Sequence, residues 1–101
     1  MKVIISSKAQ NDTTEIYEYI AKDSLKYANI TLEKLYYYIN FLEFSPYLGR
    51  YVPELQDKHY REILYKSYRI VYSIFKETIY IHFIIHSKRN FSSFYSSYIK
   101  D

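Results

Sequence analysis

The chain contains no cysteine, one glycine (Gly49) and two prolines (Pro46 and Pro53). Without thiols, neither a disulfide nor a thiolate-bound metal can form, a composition that a reducing compartment permits. A single glycine cannot build a Gly-rich phosphate loop, which excludes nucleotide chemistry of that kind. No apolar run approaches the roughly 20 residues that cross a bilayer. The basic-then-apolar start, Lys2-Val3-Ile4-Ile5, is too short for the hydrophobic region of a signal peptide. One domain over residues 1–101 is expected, cytoplasmic and without a membrane partner. A chain this short buries only about 60–65% of its unfolded surface.

Tyrosine is what the chain has in excess: 15 residues of an apolar share of 49%. Each ring ends in a hydroxyl, so many should lie at the rim of the core or on the surface. The net charge of +3 is unevenly spread. Residues 1–57 hold six Lys/Arg and eight Asp/Glu, whereas residues 58–101 hold eight and three. Arg61, Lys66, Arg69, His86, Lys88 and Arg89 crowd one short span, where only Glu62 and Glu77 are acidic. Cations gathered beside aromatic rings suit a polyanion or an acidic partner protein.

Val3-Ile4-Ile5 reads as a short strand. Ser7 with Gln10 fits a capping box that opens a helix carrying Ala9, Thr13, Ile16 and Ile20 on one side. Asp23-Ser24 breaks that helix and can cap a second. There Ala28, Leu32, Leu35, Ile39 and Leu42 form a continuous apolar stripe, the strongest periodic signal in the chain. Pro46 ends it, since proline lacks the amide and restricts the residue before it. So short a break between two helices predicts an antiparallel hairpin over residues 8–44.

Strands are expected over residues 2–6, 60–66, 68–75 and 79–86, in a mostly antiparallel sheet. Strict alternation would turn Ile79, Ile81, Phe83 and Ile85 toward the hairpin, with His82 and His86 on the opposite face beside Arg69. That opposite face would be free to bind. Leu32, Leu35, Ile39, Leu42, Ile70, Ile81, Phe83 and Ile85 are the expected core.

Several fragments, taken in order, resemble the RelE/ParE superfamily of bacterial toxins. Ser7-Lys8-Ala9-Gln10 and Ile16-Tyr17-Glu18-Tyr19-Ile20 are similar to the opening helix of ParE-like members. The connection from Pro46 to Leu55, with Gly49-Arg50 and Pro53-Glu54-Leu55, is similar to theirs. Tyr60-Arg61-Glu62, Tyr68-Arg69-Ile70-Val71-Tyr72 and His86-x-x-Arg89 complete the series. The resemblance implies an α+β domain of order β-α-α-β-β-β, with the helix hairpin on one face of a small sheet. It implies the toxin of a type II toxin–antitoxin module, of the kind tied to plasmid stabilisation and growth inhibition, in a hetero-oligomer with its cognate antitoxin.

Two unlike activities occur in that superfamily. ParE-like members act on DNA gyrase and have no agreed catalytic set. RelE-like members are ribosome-dependent ribonucleases that cut messenger RNA. The hairpin and the Pro46–Leu55 connection resemble the ParE branch over more residues. Arg69, Arg89 and Tyr95 correspond to a RelE-like set, yet the lysines RelE carries on the preceding strand have no counterpart beyond Lys66, which is out of step. A non-toxic binding module of the same fold is a third reading.

Were the chain a nuclease, metal-free attack by a 2′-hydroxyl would need a base, charge stabilisation and an acid. Tyr95, the Arg69/Arg89 pair and, with less support, His86 are the candidates for these roles. As a binder, the chain would present Arg61, Lys66, Arg69, His86, Lys88, Arg89 and Phe91 to its target or antitoxin. No metal or cofactor is expected: His82 and His86, four apart on a strand, are about 13 Å from each other. The Tyr36-Tyr37-Tyr38 run reads as helix surface, because consecutive helical positions diverge by about 100° and cannot form one stack.

Overall fold

A computed structural model describes residues 1–87 and 89–99. The chain runs β1 (Lys2–Ile5), α1 (Ser7–Ala21), α2 (Leu25–Phe41), β2 (Arg50–Tyr51), β3 (Tyr60–Tyr65), β4 (Tyr68–Phe75), β5 (Thr78–His86) and α3 (Phe91–Ile99). The expected β-α-α-β-β-β frame is there. To it the structure adds the two-residue β2, inside the connection from Pro46 to Leu55, and α3, which follows the last expected strand. The sheet has the order β1-β5-β4-β3-β2, with β1 parallel to β5 and every other pairing antiparallel.

Both helices of the hairpin begin at a serine. Ser6, in extended conformation, accepts the amide of Ala9 and donates its hydroxyl to the His82 carbonyl at 2.7 Å. One side chain thus caps α1 and fastens it to β5. The expected cap was Ser7, one residue late, because the strand stops at Ile5 and Ser6 already has the extended backbone that a cap requires. Ser24 caps α2 as expected, accepting the amide of Tyr27. Ala28, Leu35, Ile39 and Leu42 of the α2 stripe are fully buried, while Leu32 is only half-buried. α1 packs on β5 and α2 reaches β3.

The sheet departs from strict alternation at one place. Tyr72 of β4 pairs with Ile81, but its neighbour Val71 pairs with Phe83. His82 is therefore an extra residue on β5, a β-bulge, and the side chains beyond it change faces. Ile79, Ile81 and Ile84 lie with Leu35, Ile39 and Ile70 beneath the hairpin. Phe83 and Ile85 instead join Val52, Val71 and Phe91 in a second cluster on the opposite face. Phe83 and Ile85 are core residues, as expected, but of the other core. His86 has crossed to the hairpin side, away from Arg69. Nor is the opposite face open, since α3 lies over part of it.

Tight hairpins join the last three strands. Between Phe75 and Thr78 stand Lys76 and Glu77, both with left-handed backbones (φ 49° and 61°). Two positive φ values in a two-residue loop match the sheet's own twist but suit Asn-Gly far better than Lys-Glu. The double variant Lys76→Asn/Glu77→Gly should gain about 1 kcal/mol, raising Tm by about 4–8 °C in a domain this small. Thermal unfolding followed by circular dichroism would check it; an unchanged or lowered Tm would show the turn to be unstrained.

Candidate functional site

On the α3 face, four charged side chains form one line across the strands. Arg69 sits at its centre with 8% of its side chain exposed, and its Nε donates to Glu62 Oε1 at 2.7 Å. Its Nη1 and Nη2 donate to Glu54 Oε2 and Oε1 at 2.8 and 2.6 Å, a bidentate pair. The other oxygen of Glu62, whose side chain is wholly buried, takes Nε and Nη2 of Arg50 at 2.8 Å each. Alternating signs, Glu54–Arg69–Glu62–Arg50, leave no net charge in the line. Hydrogen bonds from Arg69 hold the Glu54 carboxyl below its ordinary range, and the same bonds raise the Arg69 guanidinium. The Phe91 ring of α3 covers that guanidinium at 4.5 Å.

Tyr95 continues this cover. It stacks on Phe91 (centroids 6.0 Å apart) and meets Tyr60 edge-on at 5.8 Å. Tyr60 in turn leans on His82, whose Nε2 is 2.7 Å from the Ser73 hydroxyl. Burial lowers the pKa of His82, which keeps the ring neutral near pH 7.

Arg61 points away from Glu62, to the other side of β3. Its guanidinium lies over the rings of Tyr51 and Tyr47 at 4.4 and 5.2 Å and donates to the Gly49 carbonyl. The Gly49 amide donates to the Tyr72 hydroxyl at 2.8 Å, which donates onward to the Pro46 carbonyl. A Cβ at residue 49 would stand 2.6 Å from that hydroxyl and 2.7 Å from the Glu62 carbonyl. Close approach, not backbone conformation, is why the lone glycine is here.

A cleft of about 640 Å³ opens on the hairpin side, lined by Asp12, Glu15, Ile16, Tyr19, Tyr68, Ile84, His86 and Arg89. His86 meets Tyr68 edge-on at 5.4 Å. Asp12, nearly buried, accepts the Ile84 amide at 2.9 Å and pairs with Lys8. Burial is the larger influence on its carboxyl and raises the pKa. Asp12 extends the work of β1, which ends at Ile5, by satisfying the next amide along the edge of β5.

The residues expected at the site are thus divided. Arg69, Phe91 and Tyr95 gather on the α3 face, whereas His86 and Arg89 line the cleft across the sheet. Arg61 belongs to the aromatic edge by β2. Lys66 is exposed in the β3–β4 turn with φ 51°, beside the Tyr65 ring. Lys88 lies outside the described residues. Sequence reading missed Glu54 and Glu62 as partners of Arg69, and Arg50 as the second partner of Glu62, although all three stand inside the quoted motifs. The available signal was the need of an arginine in a half-buried strand for carboxylates. Among the described residues no group of His, Asp and Glu could hold a metal ion.

Removing one member of the buried line should cost more than any surface change. Glu62→Ala leaves Arg69 half-paired in the interior and should lower unfolding free energy by about 3 kcal/mol or more. The exposed Lys66→Ala should stay within about 0.5 kcal/mol. Urea titration of both variants is the check. Glu54 makes a pH prediction as well. Its folded pKa is below the ordinary 4.5, so its stabilisation is complete above pH 4.5 and fades as pH falls through the folded value. Glu54→Gln should flatten the loss of stability below pH 4.5, and an unchanged acid limb would refute the assignment.

Solved structures share this architecture. One is described as the chromosomal ParDE TA system from P. aeruginosa; it superposes with a TM-score of 0.73, covering 87% of this chain and 97% of that one at 16% identity. That likeness establishes the fold. No curated protein matches the sequence. The sequence profile of the ParE toxin of the type II toxin–antitoxin system parDE matches residues 3–91. This match runs from β1 through the hairpin and the sheet to the first residue of α3, and on it the chain belongs to the ParE toxin family of type II toxin–antitoxin systems.

Proposed function

We propose that this ParE-family toxin inhibits growth by binding DNA gyrase, and that a cognate antitoxin neutralises it in the cytoplasm. The observation that carries the choice of target is the state of Arg69. A guanidinium that stabilises a phosphorane must present its donors to the substrate. Here three N–H groups of Arg69 are committed to Glu54 and Glu62 under the Phe91 ring, and Arg89 lines a cleft on the other face. This arrangement supports the gyrase reading over a RelE-like nuclease, whose trio would have to surround one phosphate. No helix among the described residues is long and apolar enough to cross a membrane, which is compatible with a cytoplasmic target.

The antitoxin contact is assigned to the cleft with His86 and Arg89, together with the half-buried Arg61 and the exposed Lys66. Arg69 and Phe91 are too deeply buried to touch a partner while α3 is seated. A pull-down with the product of the adjacent gene should recover a stable complex; a growth-inhibiting chain with no such partner would remove the antitoxin half of the reading.

Purified toxin in a gyrase supercoiling assay, beside programmed ribosomes with messenger RNA, separates the two targets. Tyr95→Phe removes only the hydroxyl and keeps the ring that packs on Phe91 and Tyr60. A gyrase binder should hold its inhibition within about threefold, whereas a nuclease using that hydroxyl should lose about 100-fold or more. Ribosome-dependent cleavage abolished by Tyr95→Phe, with supercoiling untouched, would overturn the proposal.

A further inference from the structure

Two cations at the β2 edge have no carboxylate of their own. From Tyr47 to Glu62 the chain carries Arg50, Lys58 and Arg61 against Glu54, Asp57 and Glu62. All three acids are engaged elsewhere. Glu54 and Glu62 serve Arg69 and Arg50 in the buried line, and Asp57 is bonded to the amide and ring of His59. Lys58 and Arg61 remain, and among the described residues neither forms a salt bridge.

What these two share is one ring. The Lys58 ammonium is 4.9 Å from the Tyr51 centroid and the Arg61 guanidinium 4.4 Å. Like charges this close repel, and a cation–π contact offsets only part of that repulsion. Arg61 is also held in one orientation. Its Nη1 donates to the Gly49 carbonyl at 2.8 Å, its Nη2 to the Tyr51 hydroxyl at 3.2 Å, and the Tyr47 ring lies 5.2 Å away. A guanidinium has five N–H groups, so donors are left over for an anion. Fixing them in advance lowers the entropic cost of binding one. Apolar surface adjoins the pair: Tyr47 is 62% exposed, Leu48 51% and Tyr51 45%.

These features choose among anions. A nucleic-acid strand gains affinity with each phosphate it contacts. Here it would meet two unmatched cations, with Glu43, Glu54 and Asp57 in the neighbouring sequence. A small free anion would leave the exposed Tyr47 and Leu48 uncovered. An acidic peptide supplies both the charge and the apolar contact.

We propose that Lys58, Arg61 and the rings of Tyr47 and Tyr51 form a docking site for an acidic peptide segment. Two neighbouring carboxylates meet the cations, and an adjacent apolar side chain covers Tyr47. This deepens the placing of Arg61 in the antitoxin contact: the owner of the peptide rests on that reading, whereas the chemistry of the site does not.

The probe is the blocked peptide Leu-Glu-Glu-Leu, titrated into the isotope-labelled full chain at concentrations up to the millimolar range and followed by two-dimensional NMR. Amide shifts should move at Gly49, Tyr51 and Lys58, and affinity should fall with added salt. The counterpart Leu-Gln-Gln-Leu should bind about tenfold more weakly. Lys58→Glu reverses an exposed charge and should weaken binding of the acidic peptide about fivefold or more. Lys26→Glu, the same change at the far end of α2, should leave it within about twofold. Equal binding of the two peptides would overturn the proposal, as would a Lys58→Glu variant that binds like the parent chain. So would the absence of shifts at these residues, or a short oligothymidylate that binds them more tightly than the peptide. The antitoxin is tested separately, by the affinity of the adjacent gene's product for the same variants. If the peptide behaves as expected while that product binds Lys58→Glu undiminished, the site stands and its assignment to the antitoxin falls.

Discussion

Arg69 must be paired if this fold is to exist, because a guanidinium held in the interior is costly unless its donors find acceptors. It obtains them from two places distant in sequence. Glu62 lies on β3 beside it, and Glu54 comes from the connection after β2. Glu62 is wholly buried and needs a second cation, which Arg50 supplies from β2. A short, largely irregular segment is thereby fixed to the sheet by charge, in addition to the packing of Val52 and Leu55 in the second core. Gly49 lets that segment approach closely enough for its amide to reach the Tyr72 hydroxyl. Phe91 then closes the site from above, so the position of α3 depends on the same arginine.

The bulge at His82 has a comparable reach. Without it, β5 would present one apolar face and one polar face, and a single core would suffice. With it, Ile84 stays under the hairpin while Phe83 and Ile85 form the floor for α3. The Ser6 hydroxyl bonded to the His82 carbonyl ties the bulge to the start of α1. The same switch separates His86 from Arg69 and brings it to the cleft with Asp12 and Tyr19. One inserted residue thus decides which cations share a face.

The aromatic excess is distributed by chemistry. Tyr72 is fully buried, with its hydroxyl between a backbone donor and a backbone acceptor. Tyr60, Tyr95 and Tyr68 are half-buried rims around the second core and the cleft. Tyr47 and Tyr51 hold the Arg61 guanidinium in place at the β2 edge. The rings left in solvent fall mostly on α2 and the turn that follows it.

Local rules in the sequence determined the helix hairpin, the Ser24 cap, the stop near Pro46 and the three antiparallel strands. Spacing and capping act within one turn or one strand, so they can be read from neighbours in the chain. The ordered fragments from Ser7 to Arg89 also carried the family. Tertiary structure alone decided the bulge, because a one-residue insertion leaves the alternation of Ile79 to Ile85 looking intact. It decided the partners of Arg69, since Glu54 and Glu62 are set against that arginine by sheet register and a connecting loop. It decided the separation of Arg89 and His86 from Tyr95, which depends on the face each strand end reaches. A sequence states which side chains need partners; only the packed chain states which partners they receive.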